Sequence, residues 1–360
     1  VLLKNEEIGT NNSLPLRDKG DSTTLNVTML GSRAYTYKAD GTTLRDTSLT
    51  FYGGITGSKI VRETVKTSSG TINVPVTMEQ ALLNQNININ PSLKTYYSNK
   101  PFPAILTGSE GSDNKGGPYA VNEPSVSLSD CGNYNNYSDA AIVVIGRCSG
   151  EGRDYLPGSA GVVSGDSQKS AIGLSKEELA LIDVASEISD NVIVLVNSAI
   201  AMEIDELKNN DKVKSILWIG LPGAYGLNGV ARVISGESSP SGHLADTFAS
   251  NASGSPAAQN FGIKNLDGSA NYTWSNSSRK DSDDSHYVVL AEDIYTGYYY
   301  YETRYADCVN NVGNADSSKG AKDGESKWNY DNEVSYSFGY GKSYTTFEQT
   351  ILNDSFYFDG

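Results

Sequence analysis

The middle of the chain alternates fully apolar strand patterns with amphipathic helix patterns, and this constrains the fold more tightly than anything else in the sequence. Ala140-Ala141-Ile142-Val143-Val144-Ile145-Gly146 is a short continuous apolar run, the pattern of a strand covered on both faces. Leu174-Ser175-Lys176-Glu177-Glu178-Leu179 then carries an S-x-x-E capping box, with Leu174 and Leu179 at the staple positions on either side. The helix it starts runs through Ile182, Ala185, Ser186 and Ile188 and ends near Asp190-Asn191. Val192 to Val196 is the next strand, Glu203 to Lys208 a short helix and Ser215 to Gly220 a third strand. Leu25 to Gly31 reads as an earlier strand of the same kind. Strand and helix alternating at this spacing predict an α/β fold, a three-layer α/β/α sandwich with a mainly parallel sheet.

The flanks read differently. Residues 32–60 are rich in Thr, Tyr and Gly, and Gly53-Gly54 and Gly57-Ser58 break any regular element there. The stretches 260–284 and 310–331 are dominated by Asn, Ser, Asp and Gly and predict long surface loops. No repeat and no long Gly/Ser linker divides the chain, so residues 1–360 are read as one domain. That length buries a core without staples. A formal charge of −15, from 28 Lys+Arg against 43 Asp+Glu, repels phosphate backbones and anionic lipid, which argues against nucleic acid. A neutral polar partner, such as a sugar or peptide, is not penalised. Two histidines (His243, His286) and three cysteines (Cys131, Cys148, Cys308) form no Cys/His cage of recognisable spacing, so neither a metal nor another cofactor is expected. No apolar run approaches the ~18 residues of a membrane span. The opening Val1-Leu2-Leu3-Lys4-Asn5-Glu6 already reads as folded sequence, as in a processed or trimmed piece of something longer.

Several blocks line up, in order, with one family. They are Val1-Leu2-Leu3-Lys4-Asn5-Glu6 with Leu14-Pro15-Leu16, Asn26-Val27-Thr28-Met29-Leu30-Gly31, and the run from Ile145 to Asp154 (IGRCSGEGRD). Val194-Leu195-Val196-Asn197-Ser198, Pro222-Gly223-Ala224-Tyr225-Gly226 and Ser239-Pro240-Ser241-Gly242-His243-Leu244 follow. The last two are the run from Glu292 to Glu302 and the run from Phe338 to Phe347. Together they resemble the α/β sandwich domain of glycoside hydrolase family three, the β-glucosidase and β-xylosidase family. The resemblance implies an active site shared between two domains. A (β/α)8 barrel supplies the nucleophilic aspartate and most of the sugar pocket, and the sandwich supplies the acid/base carboxylate. Nothing in this chain resembles the barrel's nucleophile motif, so the barrel is expected elsewhere in the same precursor or in another chain. The opening and the Tyr-rich tail look most like members that place the sandwich first.

The chemistry can also be read from the residues. A retaining glycosidase needs two carboxyl groups about 5–5.5 Å apart, one of which keeps its proton near neutrality. Ser149-Gly150-Glu151-Gly152 follows the strand at 140–146 directly, and the carboxyl ends of parallel strands are where such folds bind ligands. Flanking glycines let the backbone turn and aim one side chain outward. On its own Glu151 reads as an exposed loop glutamate; the resemblance implies that it is the acid/base, with Ser149 beside it at the substrate. A second Gly-rich stretch, Gly53-Gly54-Ile55-Thr56-Gly57-Ser58, is similar to a family loop whose serine reaches the sugar, which carries over to Ser58. Ile55 interrupts the family's spacing there. Arg147, Arg153 and Asp154 read as ion-pairing support for the Glu151 loop, and Cys148 as a small buried side chain. The resemblance implies that Tyr298 to Tyr301 forms a strand at the sandwich edge with a core role. The expected function is the accessory half of a retaining β-glycosidase acting on β-linked oligosaccharides or glycosides, inactive without its barrel. An inert sugar-binding or structural domain of a surface protein is the alternative. An extracellular or cell-surface, bacterial setting fits the composition and the family's habits.

Overall fold

Six strands make one sheet, and each forms where the sequence can hide it. In a computed structural model the described residues are 1–35, 76–100, 123–147, 172–223, 225–259, 290, 292–322, 324–348 and 350–352, with the backbone of 64–67 and 70–73. The strands are β1 (Leu2–Asn5), β2 (Leu25–Leu30), β3 (Ile87–Ile89), β4 (Ala140–Gly146), β5 (Val192–Asn197) and β6 (Val213–Trp218). Their spatial order is β1-β6-β5-β4-β2-β3, with β1 antiparallel at one edge and the other five parallel. All of β4 and β5 is buried. Successive side chains of a strand face opposite ways, so burial of every residue means that both sides of the sheet are covered. The unbroken apolar runs of the sequence express this requirement.

The covering helices are short. α1 (Met78–Leu83), α2 (Pro91–Ser98), α3 (Lys176–Ile188), α4 (Asp205–Lys208) and α5 (Leu227–Ser235) interleave with the strands. Ser175 caps α3 as its sequence predicts: Ser175 Oγ accepts from the Glu178 N–H at 3.0 Å, and Glu178 Oε2 accepts from the Ser175 N–H at 3.0 Å. Leu181, Ile182, Ala185 and Ile188 recur at helical spacing on its buried side, against β2, β4 and β5. α1 packs on α5 in the other layer.

The sheet matches the predicted α/β sandwich, with local shifts. The third strand runs Val213–Trp218 instead of Ser215 to Gly220, because an irregularity between Val213 and Ser215 lets it pair earlier with β5. The Glu203–Lys208 helix contracts to a single turn, Asp205–Lys208.

The tyrosine run corrects the edge-strand expectation. Tyr298–Val309 is a helix, α6, which begins after Gly297 at φ 53°. Its inward residues fall at helical spacing: Tyr301 is buried and Cys308 packs on the same small cluster of Ala249, Trp328 and Val334. Tyr299, by contrast, is exposed. Core packing therefore holds for Tyr301 but not through strand alternation. Arg304, on α6, donates to the carbonyls of Ala315 (2.7 Å), Ser317 (2.9 Å) and Lys319 (3.0 Å), which ties down the turns of 310–331. That stretch is a surface loop as expected, except that Trp328 is buried beneath it. The predicted loop at 260–284 lies outside the described residues. A short antiparallel pair, β7 (Phe248–Ala249) with β8 (Val334–Tyr336), joins this cluster to the main core through Phe248, which packs edge-on against Trp218 at 5.7 Å.

Candidate active site

Strand order reverses once in the sheet. From β2 the chain runs outward to β3, then returns to β4 on the other side of β2 and continues to β5 and β6. The crevice between the carboxyl ends of β2 and β4 is therefore the topological switch point, where open α/β sheets bind ligands. Close packing shapes it. Gly31 has φ +102°, and a Cβ there would sit 2.3 Å from the Val144 carbonyl oxygen. A Cβ on Gly146 would sit 2.4 Å from Arg33 Nε. Only glycines let the two strand ends come together under the arginine.

Arg33, Asn197, Glu123 and Tyr97 bring buried, hydrogen-bonded side chains to this crevice. Arg33 crosses the end of β4 and donates from Nη2 to Asn197 Oδ1 on β5 at 3.0 Å. Asn197 Nδ2 donates onward to the Gly220 carbonyl at 2.7 Å, and its own carbonyl accepts from the Arg147 N–H at 3.0 Å. The Ser32 N–H donates to Glu123 Oε1 at 2.8 Å, and the Gly31 N–H to the Tyr97 hydroxyl at 2.9 Å. Burial, with the nearby Glu123 carboxylate, pushes the Tyr97 phenol well above its ordinary value, so it stays protonated.

Two of the proposed site segments leave from this crevice. Residues 36–63, which hold Ser58, follow Tyr35 just past β2, and residues 148–171, which hold Ser149, Glu151, Arg153 and Asp154, follow Arg147 at the end of β4. Those five residues and Cys148 lie outside the described residues. Arg147 alone of the expected set is described. Its guanidinium is buried and makes a two-pronged ion pair with Glu178, Nη1 to Oε1 at 2.7 Å and Nη2 to Oε2 at 2.8 Å. Where the second segment returns, a cleft of about 280 Å³ opens, lined by Ile172, Met202, Asp246, Thr247 and Tyr301 among others. Among the described residues, no group of three or more His, Cys, Asp and Glu is placed to hold a metal ion, and no helix is long and apolar enough to cross a membrane. Cys131 and Cys308 are free thiols.

The family described as "Glycosyl hydrolase family 3 C-terminal domain" matches residues 1–344. The chain belongs to this family. Among curated relatives, the family 3 domain is 28% identical over 242 residues to beta-glucosidase A of Butyrivibrio fibrisolvens, covering 64% of this chain and 24% of that protein. It is 27% identical over 214 residues to a beta-glucosidase of Ruminococcus albus, covering 59% of this chain and 16% of that one. The chain thus spans a quarter or less of the length of these relatives. Among solved structures, beta-glucosidase 3B of Thermotoga neapolitana superposes with a TM-score of 0.59 at 24% identity, over 99% of this chain and 38% of that one. A beta-glucosidase of Paenibacillus barengoltzii gives 0.58 at 23%, over 96% and 28%. These likenesses establish the sandwich fold.

Arg33, Glu123, Asn197 and Glu178 were not singled out from sequence as site residues. Asn197 carried a usable signal, a polar residue closing a fully apolar strand at the carboxyl edge. Glu178 was visible only as a capping residue, because its arginine partner lies 31 positions away.

Proposed function

We propose that this family 3 domain is the acid/base half of a retaining β-glycosidase, completed by a (β/α)8 barrel in the same precursor or in another chain. What carries the reading is the family match over residues 1–344 together with the sequence Ser149-Gly150-Glu151-Gly152, which follows within three residues of the end of β4, the strand that borders the switch point. In this reading Glu151 protonates the departing glycosidic oxygen and then, as carboxylate, deprotonates the water that releases the sugar. Ser58 and Ser149 hydrogen-bond the sugar, and Arg153 and Asp154 steady the Glu151 loop. The barrel contributes the nucleophilic aspartate. Substrates are β-linked oligosaccharides or glycosides, and an extracellular or cell-surface setting belongs to the same proposal.

The test is reconstitution. The isolated chain should leave aryl β-glucosides and β-xylosides intact, because one member of a catalytic pair alone retains almost none of the rate. Joined to its barrel, it should turn them over. Enzyme-like turnover by the repurified chain alone would overturn the proposal, and so would a barrel that works equally well without it.

A further inference from the structure

Segment 148–171 starts at Arg147 and returns at Ile172, and a single side chain spans the two ends. Arg147 donates through Nη1 to its own strand end, the Gly146 carbonyl, at 2.9 Å, and through Nη2 to the Gly173 carbonyl just past the return point. The same two nitrogens hold both carboxylate oxygens of Glu178. Glu178 Oε2 also accepts the Ser175 N–H, so the pair is locked to the first turn of α3. The arginine side chain is 0% exposed and the glutamate 2%. Taking two charges this far out of water is a poor way to gain stability, since a well-packed apolar pair of similar volume does as well or better. What a buried planar fork does supply, and an apolar pair cannot, is a fixed relative orientation of everything it bonds.

We propose that Arg147 and Glu178 are a positioning pair: they hold both ends of segment 148–171 in one register on α3, and so fix where the Glu151 carboxyl is presented. The inference rests on the reading of Glu151 as acid/base. Neither residue touches substrate. Their effect is geometric, and a displacement of about 1 Å at a reacting group costs on the order of 100-fold in rate.

The test replaces both charges at once, Arg147→Met with Glu178→Leu, so that neither member of this ion pair is left buried without the other. Arg147→Lys, which keeps a charge opposite Glu178 but loses the fork, serves as the second variant and carries the same test if the double variant fails to fold. In the double variant the melting temperature should fall by a few degrees only, since the Gly146 and Gly173 carbonyls and the Ser175 N–H lose these partners while no charge pair remains to be desolvated. Amide exchange at Gly173 and Leu174 should quicken about tenfold, while the amides of Leu181 to Ile188 should keep their rates. In the complete enzyme kcat for a disaccharide should fall about 100-fold with KM within about twofold. Arg147→Lys should fall between the double variant and wild type in both readouts. Unchanged stem exchange, or wild-type kcat in enzyme whose Glu151→Ala variant is dead, would overturn the positioning pair. A loosened stem in enzyme whose Glu151→Ala variant is fully active would instead overturn the reading of Glu151.

Discussion

Gly31→Ala should loosen the crevice between β2 and β4 more than any surface glycine change can. The backbone at Gly31 has φ +102°, and an added methyl would lie 2.3 Å from the Val144 carbonyl oxygen, where even 3.0 Å is essentially never seen. The atom it meets is backbone in the centre of the sheet, so the strands themselves must part. An alanine held at such a φ costs about 1–3 kcal/mol. Weakening two ladder hydrogen bonds adds about 1 kcal/mol each, for a total of about 3–5 kcal/mol. An unfolding entropy of about 2.1 cal/mol/K per residue, taken over 360 residues, turns this into a fall in Tm of about 4–7 °C. Gly9→Ala is the control: Gly9 also has positive φ, +65°, but nothing lies within 4 Å of its missing Cβ. It should cost only the left-handed penalty of about 1–2 kcal/mol, or roughly 1–3 °C. Scanning calorimetry of both variants reads the difference. Equal shifts would refute the claim that the strand ends are packed too closely for a side chain.

Two further outcomes follow from buried ionisable groups. Burial pushes the Glu333 carboxyl above its ordinary range, only partly offset by the Lys322 N–H and by the positive Arg304 and Lys322 nearby. A raised carboxyl destabilises the fold where it is charged, so Glu333→Gln should raise Tm at pH 7, and the gain should shrink as the pH falls toward about 4.3; a gain independent of pH would contradict this. Burial, with Asp130 and Glu187 nearby, pushes the Cys131 thiol up to about 11, so under native conditions at pH 8 iodoacetamide should label half-exposed Cys308 long before Cys131, as read by peptide mass spectrometry.

The parts of the fold that could be read from sequence are those in which a residue's neighbours along the chain decide its environment. β4 and β5 need cover on both faces, which writes an unbroken apolar run, and α3 announces itself through Ser175 and Glu178 three residues apart. Elements too short to show a period were not read: β1, α1 and β3 have four, six and three residues. Tyr298 to Tyr301 failed for another reason. Four identical residues carry no alternation, and whether they coil or extend was decided by Trp328 and Val334, which pack against Tyr301 from later in the chain. The site divides in the same way. Glu151 is a candidate only through the family resemblance of the local run IGRCSGEGRD, whereas the Arg33–Asn197 bond spans 164 positions, a distance over which sequence pattern is silent.

Leaving-group dependence in the complete enzyme bears most directly on Glu151 as the acid/base. With Glu151→Ala, disaccharides should lose most of their turnover, because their departing oxygen needs the proton. Activated aryl glycosides should still form the glycosyl-enzyme, seen as a burst, and azide should release it as the β-glycosyl azide without a base. If disaccharides and activated substrates fall by the same factor and azide releases nothing, Glu151 is not the acid/base.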